Sequence, residues 1–143
     1  MQDKENSKKY LNRLKALDTC IKQKQEELVQ LRSLAQSVTI DVKAETVQTN
    51  PNYDRLSETV VKIVCLEDEV CTEIEGFAQK KHKIINEIQS LDDDTYISIL
   101  FKKYVEYKTL EQIAFEINYS YDHTKHLHSF ALKSFQNHKY VSN

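Results

Sequence analysis

Tyr121, Asp122, Lys125, His126 and Ser129 sit within one short stretch, Ser120 to Lys133. Phenol, carboxylate, ammonium, imidazole and hydroxyl groups are the donors and acceptors that can pair with base edges in a groove of DNA. In a helix, Asp122, Lys125, His126, Ser129 and Lys133 would share the outward face, with Thr124, Leu127, Ala131 and Phe135 facing inward. Just upstream, Leu110, Ile113, Ala114 and Ile117 fall at i, i+3, i+4 and i+7, the apolar side of a shorter helix. Thr109 and Gln112 form a capping box at its start. Asn118-Tyr119 breaks the pattern, Ser120 can cap the second helix, and Ala114 is small where two helices must approach. Two short helices, a tight turn and a polar face are the parts of a helix-turn-helix.

Other chemistry is poorly supported. His123, His126 and His128 could suggest zinc, but a helix would turn His128 toward the core and leave His123 and His126 on different sides, and no cysteine lies in this segment, so no metal is expected. Asp92, Asp93 and Asp94 read as a helix amino terminus, where carboxylates satisfy exposed N–H groups. A glycine-rich phosphate loop, a nucleophile elbow and a catalytic dyad are all missing, so neither an enzyme nor a cofactor is expected. Cys20, Cys65 and Cys71 lack metal-ligand spacing and read as reduced thiols of a cytoplasmic protein.

The elements that must position these groups are long. Tyr10, Leu14, Leu17, Ile21, Lys24, Leu28, Leu31, Ala35 and Val38 alternate spacings of four and three, a heptad seam broken only by Lys24. From Leu56 the seam returns through Val60, Ile63, Glu67, Val70, Ile74, Phe77, Lys81, Ile84, Ile88 and Leu91. Such helices must bury their stripe against one another, within a chain or between chains, which makes a homo-oligomer an expectation. Residues 39–53 read as the linker, with Asn50-Pro51-Asn52 as a stop signal. The expected fold is all-α: a long antiparallel coiled-coil hairpin over residues 1–91, then a small helix-turn-helix domain over 92–143.

Charge agrees with that division. Residues 1–53 carry nine basic and seven acidic side chains, 54–95 five and eleven, and 96–143 six and four. An acidic middle is a poor surface for phosphates, whereas the last third is a better one. Lys102, Lys103, Lys108, Thr109, Ser120 and Lys133 are the candidates for contact with a nucleic-acid backbone. A single Gly and a single Pro in 143 residues fit long helices with short connections. No apolar run is long enough for a membrane span, and the charged amino terminus lacks a signal-peptide pattern.

YKTLEQIAFEINYS followed by LHSFALKSF resembles region 4 of the sigma-70 factors, which reads a promoter element. With KKYLNRLKALDTCIKQKQEELVQLRSLA and VVKIVCLEDEV, the whole chain is similar to a phage and prophage family. In that family a coiled-coil amino-terminal half precedes a sigma-region-4-like domain, and the related ArpU- and RinA-type proteins activate late genes. The resemblance implies a phage-encoded regulator that binds double-stranded DNA in the bacterial cytoplasm. The alternative is a coiled-coil interaction module, for example for RNA polymerase, whose helix-turn-helix does not bind DNA. Tyr107 and Asn118 stand where such turns usually carry Gly, Thr124 replaces an aliphatic residue, and Asp122 and His123 occupy positions that are often basic.

Overall fold

The computed structural model describes residues 2–44 and 51–141, and every element among them is helical. Five helices follow in order: α1 (Gln2–Ala44), α2 (Pro51–Gln89), α3 (Asp94–Tyr104), α4 (Leu110–Ile117) and α5 (Tyr121–Val141). Both long helices begin before their seams and α1 ends beyond its own, whereas α2 stops at Gln89, short of the seam residue Leu91. Of the expected linker at 39–53, residues 39–44 belong to α1 and 51–53 to α2, while 45–50 lie outside the described residues. Pro51 opens α2, where a fixed φ and a missing N–H cost nothing, so it starts a helix instead of only stopping one. Acidic residues in each first turn, Asp3 and Glu5 in α1 and Asp54 in α2, suit the positive end of the helix dipole.

The chain divides into two compact units, residues 1–18 with 79–143, and residues 19–78. The boundary expected at residue 91 therefore falls inside the first unit. The reason lies in the core: Leu11 and Leu14 of α1 and Ile84 and Ile88 of α2 share one buried cluster with Leu91, Leu100, Tyr104, Ala131, Leu132 and Phe135. The ends of the long helices supply a wall that three short helices could not make alone. Asp18 is ion-paired to Lys81 at 2.6 Å, so the polar seam residue Lys81 has its partner in the same unit.

The second unit holds the remainder of α1 and α2. Lys24 pairs with Glu73 at 2.8 Å, and Arg32 lies 4.0 Å from Glu67. Partner numbers fall along α2 as they rise along α1, so the two segments run in opposite directions. Two seam residues that would be unfavourable in an apolar stripe, Lys24 and Glu67, are thus matched by opposite charges. Ile63 and Val70 are the buried large apolar residues among those described here, and Ile21, Leu28, Leu31, Val60 and Ile74 are half-buried. Thr59 and Thr72 return their hydroxyl protons to the carbonyls four residues back, which lets polar β-branched residues sit inside a helix.

Candidate functional site

Local chemistry fixes α3, α4 and α5 closely. Asp93 Oδ1 accepts from the backbone N–H groups of Thr95 (2.8 Å) and Tyr96 (3.2 Å), the capping expected of the Asp92–Asp94 run. Thr109 Oγ1 accepts from Gln112 N at 3.2 Å, and Thr109 N donates to Gln112 Oε1 at 2.9 Å, completing the capping box. Ser120 Oγ accepts from His123 N at 3.2 Å and starts α5. Thr109 and Ser120 thus sit at helix amino termini, where backbone N–H groups and the dipole favour anions. Their oxygens are used as caps, and the hydroxyl protons remain the groups that could donate outward.

The connections have one conformational feature in common. Tyr107 and Asn118 adopt left-handed backbone, with φ of 60° and 61°. These are the two positions where the family resemblance would place Gly. Asn tolerates that region, and here it closes α4 while Tyr119 N donates to Ala114 O at 3.0 Å. Tyr107 has no such tolerance, and its hydroxyl is held by the carboxylate of Asp18 and, at 3.4 Å, by the Leu14 carbonyl. Anchoring to α1 is what offsets a conformation costing about 1–2 kcal/mol.

On α5 the inward side carries Thr124, His128, Ala131, Leu132, Phe135 and Gln136, all buried. Thr124 fills its inward place by donating its hydroxyl proton to the Ser120 carbonyl at 2.9 Å, so the non-aliphatic residue leaves no unsatisfied group. Tyr121, Asp122, Lys125, His126 and Lys133 are exposed, and Ser129 is half-buried at the margin of the same strip. These candidate base-reading residues therefore lie together. His123 is also exposed and stands edge-on to the Tyr119 ring, 4.9 Å between centroids, while His128 is buried. Among the described residues no group of His, Cys, Asp or Glu has the arrangement of a metal site.

The candidate phosphate contacts are less uniform. Lys102 and Lys108 both hold Glu116, at 2.7 and 2.6 Å to its two oxygens, and Lys108 also reaches Glu106 at 2.8 Å. The two cations keep the Glu116 carboxyl below the usual carboxylate range, and the carboxylates raise Lys108 in return. Two of the expected cations are therefore partly neutralised within the protein, while Lys103 is half-buried. Beside this cluster, Lys108, Glu111, Gln112, Phe115 and Glu116 line an open depression of about 360 Å³, with Phe115 85% exposed.

Three features were missed in the sequence. Ser7 donates to the Leu132 carbonyl at 3.0 Å and lies 3.2 Å from Gln136 Oε1, joining the start of α1 to α5. Tyr104 and His128 are hydrogen-bonded at 3.0 Å inside the core. Burial pushes the ring of His128 down to about 4, helped by Lys8, Lys103 and Lys4, so it is neutral where its Nε2 meets the Tyr104 hydroxyl. Phe130 is half-exposed on α5 despite its size. Only the inward placement of His128 had a local signal; its partner lies in another helix. No family model, curated protein or solved structure matches the chain.

Proposed function

We propose that the chain is a phage-type DNA-binding transcriptional regulator, probing double-stranded DNA with α5 from Ser120 to Lys133. The observation that carries this reading is the exposed strip Asp122, Lys125, His126 and Lys133 on a helix that begins at a capped, left-handed turn. In it, α4, the turn at Asn118 and α5 act as a sigma-region-4-like helix-turn-helix, and α1 and α2 as an antiparallel coiled-coil hairpin. Tyr121, Asp122, Lys125, His126 and Ser129 are the base-edge residues; Lys103, Thr109, Ser120 and Lys133 hold the backbone, joined by Lys102 and Lys108 when phosphate displaces Glu116. The role is non-enzymatic, in the cytoplasm of a bacterial host, on late genes. Among the described residues no helix is long and apolar enough to cross a membrane.

Lys125→Ala with His126→Ala tests this. Each good base contact contributes about 1–3 kcal/mol of discrimination, so the pair should abolish specific retardation of the DNA upstream of the protein's own gene, with helical circular dichroism unchanged. An unaltered footprint would count decisively against the reading. A second reading, an interaction module for RNA polymerase, is favoured by one observation: the Glu116 cluster neutralises Lys102 and Lys108 beside exposed Phe115. Retention on immobilised polymerase, lost in Phe115→Asp and kept in the α5 double variant, would select it.

A further inference from the structure

Among its described residues, the unit formed by residues 19–78 has a sparse core. Beside buried Ile63 and Val70 it exposes Val29, Leu34, Ile40, Val61, Val64 and Leu66 by 45–65%. Long helices gain most of their stability from tertiary packing of an apolar face, and contiguous exposed apolar surface marks an interaction site.

The exposed residues form a pattern. On α1, Lys22, Gln25, Val29, Arg32 and Gln36 each follow a seam position by one residue; on α2, Val61, Val64, Asp68, Cys71 and Glu75 do the same. Between antiparallel helices an equal offset in the same sense falls on the same side of the pair. One flank of the pair therefore carries a second heptad stripe, with only basic charge on α1 (Lys22, Arg32) and only acidic charge on α2 (Asp68, Glu75).

We infer that this flank is the docking surface for a second copy of the chain, related by a two-fold axis parallel to the helices. That operation lays α1 of one copy on α2 of the other at the same height. The register set by Lys24–Glu73 and Arg32–Glu67 then brings Arg32 to Asp68, Lys22 to Glu75 and Val29 to Cys71 of the second copy. Opposite charges meet, and Val29, Val61 and Val64 are covered. The other flank, with Leu34 and Leu66, fails the same operation because it would set Glu27 beside Glu73 at the same height, and both already share Lys24. A four-helix arrangement results, in which each long pair gains the neighbours it lacks.

Sedimentation equilibrium of the full chain tests this directly. The wild type should be a dimer at micromolar concentration. Val61→Asp with Val64→Asp should weaken association by roughly 100-fold or more, since carboxylates would be buried unpaired, while Leu34→Gln with Leu66→Gln leaves it unchanged. Arg32→Glu should weaken it and added Asp68→Arg restore it, which guards against a variant that only misfolds. With Cys20→Ser and Cys65→Ser, Val29→Cys should give a covalent dimer through Cys71 on oxidation. A wild type that stays monomeric at millimolar concentration overturns the inference, as does dissociation by the Leu34/Leu66 pair or failure of the charge swap. A monomer whose stripe is shielded only by added RNA polymerase overturns it in favour of a foreign partner. The inference is independent of DNA: a monomer that still retards DNA defeats it alone.

Discussion

The two units use the same helices for opposite purposes. In the first, residues 1–18 and 79–143, the ends of α1 and α2 close a core that contains Leu11, Leu14, Ile88, Leu100, Leu132 and Phe135, each at most 2% exposed. Every short helix there has a side-chain cap, and buried polar groups such as Ser7, His128 and Gln136 have partners. In the second, residues 19–78, heptad positions are mostly half-buried and ion pairs take the place of a third layer. The difference teaches that a helix's seam does not tell how well it is buried; the number of neighbours does.

Truncation should show this contrast most strongly. Phe135→Ala removes a fully buried ring from the first core and should destabilise it by about 3–5 kcal/mol, the usual range for such a cavity. Ile63→Ala in the second unit, with half-exposed neighbours that can close in, should cost about 2 kcal/mol, the lower end for an aliphatic truncation. Urea titration of both variants checks the pair. Equal losses would mean that the second unit is as tightly filled as the first, and the comparison would fail.

Acid should weaken the first unit through His128. Unfolded, an imidazole takes its proton near pH 6.5 or so; folded, this one does so only at about 4. The unfolded state therefore binds the proton first as pH falls. Stability is unaffected above the unfolded value and declines through the window between the two, by about 3 kcal/mol at the lower edge. Lys4, Lys8 and Lys103 contribute to that shift, and a protonated ring could only donate toward Tyr104. His128→Gln keeps an acceptor without the titration, so its urea midpoint should vary less between pH 7 and pH 4 than the wild type's. Identical slopes would place the acid sensitivity elsewhere.

What the sequence made legible follows the same divide. Caps and turns depend on residues within four positions, so Asp93, the Thr109–Gln112 box, Asn118 and Ser120 could be read directly. Helical periodicity gave the outward strip of α5 and the inward placing of Thr124 and His128. Nothing local linked Ser7 to α5, Tyr104 to His128 or Tyr107 to Asp18, because each pair is brought together by tertiary packing. The same limit hid the fate of Lys102 and Lys108. A lysine in a basic segment reads as a free cation until the fold sets Glu116 between them. A boundary drawn at Leu91 was natural for a seam that ends there, but the core is shared across that point.

The smallest effect expected is a gain, and it belongs to the second unit. Gly76 lies inside α2, and a Cβ built there meets nothing within 4 Å. Glycine in a helix interior loses more backbone entropy on folding than alanine and offers no side chain to shield the hydrogen bonds. Where a core is dense, such a position is often kept for close approach. Here no approach exists, and the helix relies more on its own propensity because its seam is only half-buried. Gly76→Ala should therefore stabilise the chain by about 0.5–1 kcal/mol, partly through the unfolded state. Hydrogen exchange should show the gain in slower exchange of α2 amides around residue 76, with the amides of α3 and α5 unchanged. Slower exchange in all three helices would show that the two units unfold together, and loss of protection around residue 76 would show that the space beside Gly76 is filled when the helices assemble.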